Sequence, residues 1–113
     1  MELTQEEKRI LLNVSGKQVR TRTIGNEEYL YIPVLGINTF NSIYTYFDKN
    51  IHKILWECQN KLIDKNWVFE FDNDRILSEL DEIKYGASWY EDHNNDKLLT
   101  FAHAILYAIK EPK

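Results

Sequence analysis

The chain has 113 residues, 43% hydrophobic and 13% aromatic, with 14 Lys+Arg against 18 Asp+Glu and a formal net charge of −4. That length suits a single α+β domain over residues 1–113, and the supply of large side chains excludes a disordered chain. The one cysteine, Cys58, excludes an internal disulfide and a cysteine-based zinc site.

No apolar run approaches the roughly 20 residues of a bilayer span, so no membrane is expected as a partner. The charged start, Met1 to Arg9, lacks the apolar core of a signal peptide, and the expected location is the cytoplasm. Heavy use of Asn, Ile, Lys and Tyr fits an AT-rich genome and a bacterial or phage accessory gene.

In chain order, Thr4 and Glu7 stand at capping-box spacing, which predicts a helix from about Gln5 to Asn13 ended by Ser15-Gly16. Lys17 to Val34 predicts a β-hairpin turning at Gly25-Asn26, because glycine supplies the positive φ that a two-residue loop needs. In that register Val19, Thr21, Leu30, Ile32 and Val34 face inward. Arg20, Arg22, Tyr29 and Tyr31 share the other face.

From Asn38 to Asn66, Phe40, Ile43, Phe47, Ile51, Ile54, Leu55, Cys58 and Leu62 recur at steps of three and four, the stripe of an amphipathic helix. The phase continues across Asp48-Lys49-Asn50 and favours one central rod, with a second helix capped by Asn50 as the alternative. Lys53, Glu57 and Lys61 form its solvated face, with ion pairs along the helix, and His52 is expected beside them at the surface.

Trp67, Phe69 and Phe71 alternate with Val68 and Glu70, which predicts a third strand near 66–71, pairing with the hairpin. Beyond it, Asp72 or Asn73 is expected to cap a helix with Ile76, Leu77, Leu80 and Ile83 as its stripe and Gly86 as its stop. Ala87 to Tyr90 reads as a short strand, and Glu91 to Asp96 as a polar loop with Asn94 or Asn95 as cap. The last helix, about Asp96 to Lys110, is apolar on nearly every side, so it lies either mid-fold or at a homodimer contact before Pro112 ends it. The resulting class is α+β: a small antiparallel sheet, from the hairpin and at least one further strand, packed by three to four helices.

Charge is unevenly spread. Asp64 to Asp96 holds ten acids and three bases, −7, while the segments on either side are slightly positive. Interleaved Tyr85, Trp89 and Tyr90 add aromatic anchors to Asp74, Glu79, Asp81, Glu82, Glu91 and Asp92. Such a surface suits a protein partner that is itself basic and handles nucleic acid. The leading expectation is therefore a non-enzymatic acidic interaction protein: an inhibitor, an immunity or anti-defence protein.

The alternative is a small-ligand or nucleotide binder that uses Arg20, Arg22, Tyr29 and Tyr31, or a subunit interface, for charge and stacking. Two arginines and Lys17 fall short of the basic stripe that nucleic acid requires. Glu91, Asp92 and His93, with His103 beyond, are the residues a metal-dependent hydrolase would use, but their spacing matches no metal loop. The four glycines are isolated and the serines lack an elbow, so no cofactor, metal or catalytic residue is implied.

Overall fold

The computed structural model describes residues 3–17, 19–31, 42–92, 94 and 96–111, with the backbone alone at 21, 22, 24, 27–31, 42–45 and 92. Its helices are α1 (Gln5–Val14), α2 (Ser42–Lys49), α3 (Ile51–Ile63), α4 (Trp89–Asp92) and α5 (Lys97–Lys110). The strands are β1 (Arg20–Ile24), β2 (Glu27–Tyr31), β3 (Val68–Phe71), β4 (Arg75–Leu80) and β5 (Ile83–Ser88). The class is α+β, as the sequence implies.

The ends of α1 are set by local chemistry. Thr4 Oγ1 accepts the Glu7 amide at 3.1 Å, and Glu7 Oε1 accepts the Thr4 amide at 2.9 Å. At the other end Gly16 takes φ 98, so that the Gly16 and Lys17 amides reach the Asn13 and Leu12 carbonyls. Leu11 and Leu12 are fully buried, and Lys17 pairs with Glu57 of α3 at 3.3 Å. Glu57 is thus paired across the fold, and among the described residues no ion pair joins it to Lys53 or Lys61 along its own helix.

The hairpin has the expected register: Arg20 opposite Tyr31, Thr21 opposite Leu30 and Arg22 opposite Tyr29, around Gly25 at φ 65. It forms a sheet of its own, and β3 pairs with β4 instead. Its main contact elsewhere is with α2. The radius of gyration is 15.0 Å, above the roughly 13 Å of a compact chain this long, and the extents are 47 × 30 × 21 Å. Ile32, Val34, the expected helix start at Asn38, Phe40 and the stop at Pro112 lie outside the described residues.

The central rod is broken at Asn50. Its backbone leaves the helical range at φ −121, ψ 23, and its Nδ2 donates back to the Tyr46 carbonyl at 2.9 Å instead of its side chain capping α3. The apolar stripe nonetheless continues: Phe47, Ile54, Leu55, Cys58 and Leu62 are buried and Ile51 half-buried. His52 is exposed, as expected. Asn66, at φ 72, turns the chain from α3 into β3 while the Trp67 amide takes the Leu62 carbonyl.

Residues expected as a helix after Asp72 form the antiparallel strands β4 and β5, joined by the two-residue turn Asp81-Glu82, with Asp81 at φ 51 and Gly86 inside β5 rather than ending a helix. Ile76, Leu77, Leu80 and Ile83 fit a helical stripe as well as a hairpin. Burial decides: Ile76, Ser78 and Leu80 are buried, whereas Leu77 and Glu79 between them are not. The sheet order is β3-β4-β5. The expected short strand at Ala87 to Tyr90 is the end of β5 followed by the single turn α4.

Helix α5, capped by Asp96 through the Leu99 amide, lies between this sheet and α3. Eight of its residues, from Leu99 to Ala108, are buried within this one chain. Ala102, Ala104 and Ala108 allow close approach, and Ser78 Oγ donates to the Ala104 carbonyl at 3.2 Å. Leu99, Phe101, Ile105 and Leu106 each contribute about 1.5 to 3 kcal/mol gross from burial.

The β4–β5 hairpin predicts unequal costs at adjacent positions. Ser78→Lys buries an unpaired charge and should cost more than about 3 kcal/mol in urea unfolding. Leu77→Lys, on the water side, should cost about 1 kcal/mol. Equal losses, or the reverse order, would favour a helix here.

Candidate protein-binding surface

Alternation along the three strands sorts the sheet into two faces. The inner face carries Phe69, Phe71, Ile76, Ser78, Leu80, Ile83, Tyr85 and Ala87 against α5. The outer face carries Val68 and Glu70 of β3, Arg75, Leu77 and Glu79 of β4, and Lys84, Gly86 and Ser88 of β5. No described element packs over that outer face.

The acidic residues singled out in the sequence collect on this layer but divide between its ends. Asp81 and Glu82 form the turn at one end, with Glu79 just inside, opposite Lys84. Asp74 and Glu91 lie at the other end with Asp72, about 20 Å away along strands of this length. Asp92 has a described backbone only, in α4, and His93 lies outside the described residues.

Two of the three expected anchors face the wrong way. Trp89 is only 4% exposed, packed in the core with the Lys97 ammonium 5.2 Å from its ring. It is no surface anchor because the chain at Ser88 turns into α4 and carries the indole under the sheet's end, where the Trp89 amide bonds the Asp74 carbonyl. Tyr85 points inward and packs on Tyr107, with centroids 5.3 Å apart. Tyr90, at 59% exposed, stays available.

Between Asp74 and Glu91 lies a shallow hollow of about 350 Å³, lined also by Arg75, Gly86, Ala87 and Ser88. Gly86 makes the space: a Cβ there would come within 3.4 Å of the Arg75 guanidinium. Glu70, Asp74, Glu79, Glu82 and Glu91 make no ion pair among the described residues. The pairs Lys8–Asp48, Arg9–Glu6 and Lys17–Glu57 all belong to the helical side.

The alternative basic-aromatic face is placed by register. Arg20, Arg22, Tyr29 and Tyr31 occupy paired positions of β1 and β2, and Arg20 is exposed. His103 is half-buried on α5. Among the described residues no group of three His, Cys, Asp or Glu side chains is arranged to hold a metal ion, and no helix is long and apolar enough to cross a membrane.

Trp56, Ile63, Val68 and Phe71 are all about half exposed; the last two stand on the strand expected from the sequence, whereas Trp56 and Ile63 were not among the expected candidates. The signal was present: Trp56 and Ile63 are seven apart on α3 and off the phase of its buried stripe. Comparison with known proteins adds no relative: no family model, no curated protein and no solved structure matches the chain.

Cys58 offers no nucleophile. Its Sγ donates to the Leu11 carbonyl at 3.1 Å, and burial, with Glu57 adding to it and Lys61 opposing, pushes the thiol from its ordinary 9.0 up to about 12. The folded state thus favours the protonated thiol. Its contribution to stability is complete below pH 9.0 and is lost as the pH rises toward about 12. A thiol reagent at pH 8 should leave native protein unmodified and label it fully in denaturant; rapid native labelling would contradict this burial.

Proposed function

We propose that the chain is a non-enzymatic interaction protein whose acidic sheet layer captures a basic surface of another protein, as an inhibitor, immunity or anti-defence protein would. The observation that carries this reading is the concentration of −7 in residues 64–96, a segment that supplies the whole three-stranded sheet, whose outer side has no cover among the described residues. A nucleic-acid-handling protein is the natural class of target, because its phosphate-binding surface is basic. Carboxylates at both ends of the sheet suit a target broad enough to span about 20 Å. Their combined field would speed encounter more than any single contact would strengthen the complex.

A second reading is favoured by the hairpin register, which sets Arg20 with Tyr31 and Arg22 with Tyr29 on one face. That arrangement would suit a small anionic ligand or nucleotide, held by stacking and charge.

Affinity purification of the tagged chain from its native host, with mass spectrometry of proteins and extraction of nucleotides, separates the two. The acidic reading predicts a basic partner whose recovery falls at least tenfold with Asp81→Lys/Glu82→Lys and weakens as salt rises, while Arg22→Ala changes nothing. Loss of a co-purified nucleotide on Arg22→Ala, with the charge-reversed variant unaffected, would reject it.

A further inference from the structure

Four of the large apolar side chains left exposed, Trp56 (50%), Ile63 (45%), Val68 (54%) and Phe71 (49%), lie on α3 and on β3, the strand whose far edge is unpaired among the described residues. Trp56 stacks on Phe71 with centroids 6.3 Å apart, and both rings rest on the buried Phe101, at 5.9 and 5.2 Å. Ile63 lies two turns further along the same side of α3, toward the start of β3.

The backbone at this edge is also unsatisfied by the sheet. The Asp72 amide bonds the Arg75 carbonyl at 2.9 Å, which fixes the alternation of the antiparallel ladder. Counting back along the register, Glu70 and Val68 turn their amides and carbonyls to β4, whereas those of Phe69 and Phe71 point to the open edge. The Trp67 amide has the same sense but is taken by the Leu62 carbonyl at 3.1 Å. The open stretch is therefore Phe69 to Phe71, flanked by a helix that supplies an aromatic wall.

We propose that this edge receives an extended segment of a partner protein, alternately apolar and basic, as a fourth strand of the sheet. The proposal rests on the acidic-surface reading and names its docking point. Inward side chains of the added strand would cover Trp56 and Phe71. Outward ones would stand beside Val68 and Glu70, with Asp72 just beyond. Glu70 makes no ion pair among the described residues, so Lys or Arg opposite it completes a charge pair, whereas an acidic side chain there is repelled.

Area and charge both disfavour a second copy as the occupant. Four half-exposed side chains of this size present on the order of 400 Å², half of the roughly 800 Å² that each partner gives to a standard interface. A second copy would also set its own Glu70 and Asp72 against the first pair.

The test is titration of isotope-labelled full-length chain with a blocked peptide of about eight residues alternating Val and Lys, to about 1 mM, followed by NMR. Amide shifts and slowed hydrogen exchange should centre on Phe69 and Phe71. Binding should fall at least tenfold with a peptide N-methylated at alternate residues, with Val–Glu in place of Val–Lys, and with Trp56→Ala or Glu70→Lys in chains that keep their fold by circular dichroism. Silence at both amides, or equal binding of the Val–Glu peptide, overturns the proposal. So does concentration-dependent dimerisation abolished by Trp56→Ala, which would seat a second copy there. A silent edge alongside charge-dependent capture of a partner overturns strand addition while leaving the acidic-surface reading standing.

Discussion

A helix that is apolar on nearly every side must be enclosed, and enclosing α5 sets the arrangement around it. The inner face of the three-stranded sheet covers one flank and α3 the other, with α4 closing the end. Ser78 shows how close the layers come: its hydroxyl reaches a carbonyl of α5, which a bulkier side chain at that position would prevent. Because the helices stack on that one side, the sheet's other face has no cover among the described residues. Glu70 and Glu79 sit on that outer face, and Asp72, Asp74, Asp81 and Glu82 in the turns at its ends, where solvation costs least.

Features governed by neighbours in the chain were legible in the sequence. Thr4 and Glu7 fix the start of α1, Gly16 its end, and Gly25-Asn26 the register of the first hairpin residue by residue. The central stripe was legible as well, although Asn50 spends its side chain on Tyr46 and divides the rod. The second hairpin was not legible, because Ile76, Leu77, Leu80 and Ile83 satisfy periods of 3.6 and 2 alike. Its turn, Asp81-Glu82, lacks the glycine that usually announces one. The polar Ser78 on the inner face further hid the alternation.

The candidate surface was legible in charge but not in geometry. Charge can be summed along a chain, and the acidic segment does supply all three strands of the second sheet. Which of its aromatic residues stay outside depends on where β5 ends, and that places Trp89 in the core while leaving Tyr90 exposed. The exposure of Trp56, Ile63, Val68 and Phe71 follows from β3 being, among the described residues, an edge strand beside α3, a matter of sheet order. Exposed edges invite pairing, and a short strand with a glutamate on it is the usual protection against the wrong partner. In β3 that same glutamate selects the charge of a right one.

Enclosure of α5 and exposure of the acids both require the three-stranded sheet to be covered on one side only. Paramagnetic relaxation of methyl and amide signals by a neutral, water-soluble gadolinium chelate reads this directly, since it reports distance from bulk solvent residue by residue. The account predicts strong attenuation at Val68, intermediate at Leu77, and little at Ile76, Leu80 and Ile105. Equal protection of Ile76 and Leu77, or a shielded Val68, would contradict it.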